Sequence, residues 1–156
     1  KEYLGSKFYF YLKIKECKES HKKIKTINNV SSYKGRVLLV EDNPTNQFLM
    51  QITFTNLNLQ VSLANDGLEA IKEFKNNKFD IVFMDDNMPN KNGTEACKEI
   101  IEYEKENDLP HTPIVALTAN TSQETRKKFF KVGMDEYMSK PFDIHLLHKI
   151  LQKYLS

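Results

Sequence analysis

Acidic, hydroxyl and ammonium side chains follow four short apolar runs of this sequence. Glu41 and Asp42 follow VLLV, Asp85 follows IVFM, Thr118 follows IVAL, and Lys140 follows EYMS. Carboxylate oxygens suit Mg²⁺, which usually takes one or two carboxylates together with phosphate oxygens. A carboxylate beside such an ion can act as a nucleophile toward a phosphoryl group. These side chains therefore predict aspartyl-phosphate chemistry, with Asp85 as the candidate nucleophile.

The apolar runs predict strands, and helical patterns of apolar residues lie between them. Predicted strands cover residues 37–40, 61–64, 81–84, 114–117 and 136–139, and predicted helices begin near residues 44, 67, 94, 122 and 143. This alternation predicts an α/β fold with a doubly wound, five-stranded parallel sheet. The carboxyl ends of parallel strands share one edge, so the chemical groups should meet there. Two carboxylates about 4 Å apart repel by roughly 4 kcal/mol at an effective dielectric constant of about 20, so the cluster needs a cation or Lys140.

Local signals place the helices more closely. Asn43 can cap the first helix, which begins with a proline, and Gly133 is a typical stop for the fourth. Helical spacing predicts that Phe48, Leu49 and Ile52 fall on one face of the first helix.

Composition indicates one globular domain with an N-terminal extension. The 156 residues are 40% hydrophobic and 28% charged, which is ordinary for a globular protein. Residues 1–34 hold nine lysines against three glutamates, a net of +6, whereas residues 35–156 hold 14 basic and 18 acidic residues, a net of −4. The acidic unit disfavours nucleic-acid binding. No apolar run reaches the roughly 20 residues of a membrane span and no signal peptide is recognisable, so we expect a cytoplasmic location and reduced thiols at Cys17 and Cys97.

The extension, residues 1–34, has its own pattern. Residues 8–14 predict an aromatic strand, and a lysine-rich and then Asn/Ser-rich linker follows. A single strand is not stable alone, and residues 35–156 already supply five strands. We therefore expect the extension to be dispensable for folding of the globular unit.

Four motifs closely resemble the receiver domains of two-component response regulators: VLLVEDNPTNQ, FDIVFMDDNMPNKNG, PIVALTAN and GMDEYMSKPF. The resemblance covers residues 36–155 and implies a flavodoxin-like strand order, 2-1-3-4-5. It also implies that Asp85 accepts a phosphoryl group from a phosphohistidine. Mg²⁺ would be held by Asp42, by Asp85 and by the backbone carbonyl of Asn87, with Glu41 acting through water.

The same resemblance implies roles for other residues. Lys140 would pair with the acceptor and later with the phosphoryl oxygens. The peptide bond between Lys140 and Pro141 would be cis. Thr118 would move to bind the phosphoryl group, and Tyr137 would turn inward as an aromatic switch. Asn87 and Asn120 would flank the path of the attacking water.

One residue departs from the pattern of this family. Asn92 stands where this family commonly has an aspartate before the glycine, so the local turn is in question but the metal site is not.

The stretch GSKFYFYLKI resembles the last strand of a histidine kinase ATP-binding domain. The fragment is therefore expected to be the C-terminal receiver of a hybrid sensor histidine kinase. Its partners would be a phosphohistidine domain of a kinase, a histidine-phosphotransfer protein, or both. None of the four histidines, His21, His111, His145 and His148, lies in a phosphoacceptor-helix pattern, so the fragment alone is not a kinase.

Three alternatives remain open. A stand-alone response regulator with a basic N-terminal arm differs only in what surrounds residues 1–34. A Mg²⁺-dependent phosphatase with an aspartate nucleophile usually needs an acid two residues later, where this chain has Asn87. A flavin-binding module of the same fold would need a glycine-rich loop after the first strand, and none is present there.

Overall fold

The computed structural model describes residues 32–155, in which five strands alternate with five helices. The elements are β1 Arg36–Val40, α1 Pro44–Asn56, β2 Gln60–Ala64, α2 Gly67–Asn76, β3 Ile81–Asp85, α3 Gly93–Glu106, β4 Ile114–Thr118, α4 Gln123–Val132, β5 Glu136–Ser139 and α5 Ile144–Leu155. The predicted alternation is confirmed.

The strands form one parallel sheet in the order β2-β1-β3-β4-β5, as predicted. The register places Val40 of β1 beside Met84 of β3, and Asp85 beside Leu117 of β4. The carboxyl ends of the central strands therefore lie side by side. Residues that follow them must emerge at the same edge of the sheet.

The sheet is covered on both faces. Helices α2, α3 and α4 pack on one face, around residues such as Val82 and Phe129, and α1 and α5 pack on the other, around Phe83 and Leu151. Strands β3 and β4 are buried at all five positions. Burial on both sides explains why these strands read as continuous apolar runs and not as an alternation.

The predicted helix signals at Asn43 and Gly133 are confirmed, and so is the predicted start of the fourth helix near residue 122. The Asn43 side chain accepts hydrogen bonds from the backbone N–H groups of the first turn of α1, and Ser122 caps α4 in the same way. Gly133 ends α4 with φ 99°, in the left-handed region that glycine adopts without strain.

The face of α1 that carries Phe48, Leu49 and Ile52 is not the face that packs on the sheet. Phe48, Leu49 and Ile52 are exposed, with 64%, 57% and 42% of their surface accessible, whereas Met50 and Phe54 are buried against the sheet. Helix α1 carries apolar residues on two opposite sides, so spacing alone does not show which side faces the core. An apolar surface is therefore exposed on α1.

Tyr33 packs against the sheet-and-helix unit, although it precedes β1 and falls in the predicted extension. The residue is 7% exposed and belongs to the buried cluster on the α1 and α5 side. Its N–H donates to the carbonyl of Leu57 at 3.0 Å, and its hydroxyl lies 3.0 Å from Nδ1 of His148. The packed unit therefore includes Tyr33.

The predicted strand at residues 8–14, the lysine-rich linker up to residue 31 and Cys17 lie outside the described residues. Cys97 lies inside them and is a buried free thiol, and burial raises its pKa to about 12. Across residues 32–155, every helix is too short or too polar to cross a membrane.

Candidate functional site

The end of β1 supplies two carboxylates with different surroundings. Glu41 is only 1% exposed, and its Oε1 accepts hydrogen bonds from Asn46 Nδ2 at 3.1 Å and from the N–H of Asn43 at 3.3 Å. Asp42, the next residue, is exposed. The first turn of α1 therefore holds Glu41 in place, and Asp42 is left facing solvent.

The end of β3 places Asp85 at the centre of the same edge. Its carboxylate is largely buried, and Oδ1 accepts a hydrogen bond from the N–H of Asn87 at 3.3 Å. The start of α3 packs closely against this strand end, because a Cβ at Gly93 would clash with the Asp85 carbonyl oxygen. Glycine is therefore required at position 93 for the observed approach.

Lys140, at the end of β5, joins the two buried carboxylates. Its Nζ lies 2.5 Å from Oε2 of Glu41 and 2.6 Å from Oδ2 of Asp85. The Lys140–Pro141 peptide bond is cis, as predicted. The Lys140 N–H donates to the carbonyl of Thr118 at 2.8 Å, which fixes the end of β5 beside β4.

The acidic cluster has the chemistry of a divalent-cation site. One carboxylate oxygen from each of Glu41, Asp42 and Asp85 can be chosen so that all three lie within 4.8 Å of one another. These are hard oxygen donors, and the exposure of Asp42 leaves room for water, which Mg²⁺ usually retains. With Lys140 included, the four charged groups sum to −2. The residues therefore fit Mg²⁺.

Burial and charge act in opposite directions on the central pair. Burial raises the pKa of Asp85, and this outweighs the lowering effect of Lys140. Burial alone would lower the pKa of Lys140, but its hydrogen bonds to Asp85 and Glu41 dominate and raise it. Lys140 therefore stays an ammonium ion beside Asp85, whose ionised form is disfavoured by burial.

The two predicted switch residues lie on neighbouring strands. The Thr118 hydroxyl is buried and makes two contacts with the backbone of Asn120, donating to its carbonyl at 3.2 Å and accepting from its N–H at 3.1 Å. The Tyr137 ring is half-buried beneath the guanidinium of Arg126, which lies 4.5 Å from the ring centroid. Phe130 meets the same ring edge-on.

The three asparagines singled out from the sequence have different surroundings. Asn87 is exposed beside the acceptor. The Asn120 side-chain oxygen accepts a hydrogen bond from the N–H of Ser122 at 3.0 Å, so it supports the loop before α4. Asn92 caps α3 in a reciprocal pair with Glu95, which shows that the missing aspartate does not disturb the turn.

Sequence reasoning missed one ion pair next to the site. Asp86, the residue after the acceptor, is 8% exposed, and its Oδ2 lies 3.2 Å from Nζ of Lys128 on α4. Its Oδ1 is buried and has no hydrogen-bond partner within residues 32–155. Because 42 residues separate the pair, no local pattern could have indicated it.

Comparisons with known proteins agree with this geometry. The response regulator receiver domain family matches residues 37–152. Autoinducer 2 sensor kinase/phosphatase LuxQ of Vibrio parahaemolyticus is 40% identical over 114 residues, which cover 73% of this chain and 13% of that protein.

Two solved structures are similar. One is the co-crystal structure of the Saccharomyces cerevisiae histidine phosphotransfer protein Ypd1 with the receiver domain of its downstream response regulator Ssk1: TM-score 0.74, 33% identity, 79% of this chain and 90% of that chain. The other is the receiver domain of sensor histidine kinase PA1611 from Pseudomonas aeruginosa PAO1, with a magnesium ion coordinated in its active-site cleft. It gives a TM-score of 0.70 and 36% identity, over 78% of this chain and 97% of that chain.

The chain spans 13% to 18% of the length of the curated relatives compared in sequence. The family match nevertheless covers most of the chain and includes every strand of the sheet except the first residue of β1. It also includes the strand ends that carry the acidic cluster and Lys140. This chain therefore belongs to the response regulator receiver domain family.

Proposed function

We propose that Asp85 accepts a phosphoryl group from a phosphohistidine, with Mg²⁺ as cofactor. The main support is the position of its carboxylate, which is largely buried, bonded to Lys140 and close to the other two acids. The magnesium ion in the related PA1611 receiver supports the cofactor. Asp42 and Asp85 would ligate the ion directly, together with the backbone carbonyl of Asn87, and Glu41 would act through water.

The transfer forms one bond and breaks another. A carboxylate oxygen of Asp85 attacks the phosphorus atom, the P–N bond to the imidazole breaks, and its electron pair stays on the leaving ring nitrogen. The product is an acyl phosphate. Mg²⁺, when bound, supplies positive charge to the oxygens of the transferred group. The Lys140 ammonium already lies between Asp85 and Glu41, so it can pair with a phosphoryl oxygen after a small movement.

Thr118 and Tyr137 would report the transfer. The Thr118 hydroxyl would exchange its contacts with Asn120 for a phosphoryl oxygen, which would free space beside β4. Tyr137 would then turn inward, away from Arg126. Thr118 contacts the loop before α4, and Tyr137 contacts α4 itself. These contacts support the assignment, because movement of either side chain would change the surroundings of α4.

Asn87 and Asn120 would position the water that removes the phosphoryl group. A carboxamide can hydrogen-bond to water without adding negative charge. Asn87 is exposed beside the acceptor, whereas the Asn120 oxygen is already engaged with Ser122. Replacing Asn87 by leucine should therefore slow autodephosphorylation. Replacing Asn120 by leucine should slow it only as far as the side-chain nitrogen of Asn120 contacts the water, because the side-chain oxygen is bound to Ser122. Unchanged decay in both variants would contradict the assignment.

The partner would be a histidine-phosphotransfer protein or the phosphohistidine domain of a kinase. Exposed apolar residues near the site support a protein partner, namely Phe48, Leu49 and Ile52 on α1 and Ile144 on α5. A cavity of about 180 Å³ lies between these two helices. A relative in the Ssk1 co-crystal structure is paired with a histidine phosphotransfer protein. An exposed apolar surface of this kind is typical of a protein-binding site.

The parent protein would be a hybrid sensor histidine kinase. Residues 1–34 would then be the end of its ATP-binding domain and a linker, residues 35–156 the receiver, and the location of this part cytoplasmic. The relationship to LuxQ, a sensor kinase/phosphatase, supports this proposal. The alternative is a stand-alone regulator with a basic arm. The full coding sequence distinguishes the two, because only the hybrid kinase encodes a complete ATP-binding domain before residue 1.

The acceptor is tested with Asp85→Asn, and Asp86→Asn is the matched control. Both variants remove one carboxylate of adjacent, largely buried residues. Wild type and Asp86→Asn should become labelled by a phosphorylated histidine-phosphotransfer protein in Mg²⁺, and Asp85→Asn should not. Labelling of Asp85→Asn at the wild-type level would refute the proposal. Rapid hydrolysis of p-nitrophenyl phosphate would instead favour the phosphatase alternative.

The metal site is tested by comparing Asp42→Ala with Glu41→Gln. Because Asp42 is proposed to ligate directly and Glu41 through water, the first change should weaken Mg²⁺ binding more. Isothermal titration with Mg²⁺ gives the readout. Wild-type affinity in Asp42→Ala would show that the metal lies elsewhere.

A further inference from the structure

A groove rich in lysine runs between α3 and α4. Lys98, Lys127, Lys128 and Lys131 line a cavity of about 500 Å³, and Lys98 and Lys105 line an adjoining cavity of about 340 Å³. Val132 belongs to both cavities. We call this surface, defined by the five lysines, the basic groove.

The basic groove keeps an excess of positive charge, because its five lysines are accompanied by only two lining carboxylates, Glu102 and Glu124. Lys128 pairs with Asp86, but within residues 32–155 the other four lysines make no ion pair. All five side chains are exposed. The rest of the globular unit is acidic, since residues 35–156 carry a net charge of −4. A concentration of one sign on a surface of the other sign attracts an oppositely charged ligand.

The walls of the groove indicate which anion fits. Ile101 and Val132 are half-buried and give the groove apolar surface, and Glu102 and Glu124 line it together with the lysines. A nucleic-acid strand would bring a continuous row of phosphates against those two carboxylates and against an acidic domain. A polypeptide can place its carboxylates at the lysines alone and set an apolar side chain on Val132.

We propose that the basic groove is a docking site for an acidic peptide segment of a partner protein, with carboxylates opposite the lysines and an apolar side chain against Ile101 and Val132. The site lies on the α3 and α4 side of the sheet, away from the apolar surface of α1 and α5. It does not depend on the identity of the phosphoacceptor.

The test uses a fluorescein-labelled peptide of glutamates interrupted by leucines, with binding followed by fluorescence anisotropy at low ionic strength. The groove variant is Lys98→Glu with Lys131→Glu. Its control is Lys72→Glu with Lys149→Glu, which changes the net charge equally at exposed positions on α2 and α5. The groove variant should bind about tenfold more weakly than wild type, and the control within about twofold. Circular dichroism checks that both variants fold.

Three results would overturn the proposal. Equal weakening in both double variants would mean that the peptide responds to net charge alone, and no weakening in the groove variant would mean that it binds elsewhere. Tighter binding of a single-stranded DNA oligonucleotide, lost in the groove variant, would reassign the groove to nucleic acid. A peptide with serine in place of leucine should bind more weakly than the original, because it loses the contact with Val132.

Discussion

Nζ of Lys140 lies 2.6 Å from Oδ2 of Asp85, and the same ammonium lies 2.5 Å from Oε2 of Glu41. One cation therefore offsets two carboxylates that are almost withdrawn from water. Two buried anions that share a single cation are held at a cost, because each ion has lost hydration and the anions repel. The site is thus prepared to gain a second cation.

Replacing Asp85 by asparagine should stabilise the fold in the absence of Mg²⁺. The change removes a buried charge whose ionised form is disfavoured, while Lys140 keeps its bond to Glu41. We expect the midpoint of urea unfolding, measured in EDTA, to rise above that of wild type by an amount equivalent to about 1 kcal/mol. A lower midpoint would show that the Asp85–Lys140 bond outweighs the cost of burial.

Replacing Lys140 by methionine should have the opposite effect. It leaves Glu41 and Asp85 buried without a cation, and breaking a buried pair in this way costs about 3 kcal/mol. Addition of Mg²⁺ should restore part of the loss. The control is Lys153→Met, which breaks a solvent-exposed pair with Glu136 and should change urea unfolding little. If the two variants unfold alike in EDTA, the buried pairing of Lys140 does not stabilise the fold.

His111 should make stability depend on pH. Burial opposes its charge, but both ring nitrogens bond to carboxylates, Nδ1 to Glu104 at 2.8 Å and Nε2 to Asp135 at 3.0 Å, and these contacts raise its pKa. Because the folded pKa is the higher one, the stabilisation is complete below 6.5, the unperturbed value, and is lost as the pH rises through the folded pKa.

The expected loss is small, because the His111 side chain is 44% exposed, and we expect about 1 kcal/mol or less. The measurement is urea unfolding at about pH 6 and about pH 9. Wild type should lose more stability across this interval than His111→Gln. Parallel pH profiles would show that the imidazole does not titrate in this range or does not stabilise the fold.

Tyr33 should mark the true start of the folded unit. Because the ring is buried and its hydroxyl meets His148, Tyr33→Ala should cost about 3 kcal/mol, and Tyr33→Phe about 1 kcal/mol. Deleting residues 1–31 should leave thermal stability nearly unchanged. Deleting residues 1–34 should cost as much as Tyr33→Ala, which amends the expectation that all 34 residues are dispensable. Equal melting temperatures for the two deletions would contradict this.

The strand ends could be predicted from sequence because they depend on topology alone. Once five strands alternate with five helices, the residues after β1, β3, β4 and β5 must meet at one edge, wherever the side chains finally settle. The face of α1 could not be predicted in this way. Phe48 and Ile52 keep helical spacing as well as Met50 and Phe54 do, and only the position of the sheet decides between the two pairs.

Contacts between residues far apart in the chain also could not be predicted from the sequence. Asp86 and Lys128 are 42 residues apart, and Tyr33 and His148 are 115 apart. Each pair depends on how two finished elements pack, and neither has a composition or spacing that a local pattern could detect. The same holds for the shared ammonium of Lys140, since the sequence predicted its pairing with Asp85 but not with Glu41.

Because helices cover both faces of the sheet, the two proposed protein-binding surfaces do not overlap. The apolar surface lies on α1 and α5, and the basic groove lies on α3 and α4, with the five strands between them. A phosphodonor bound on one side would leave the other side free for a second protein. The domain could therefore bind the phosphodonor and the acidic partner at the same time, in a ternary complex.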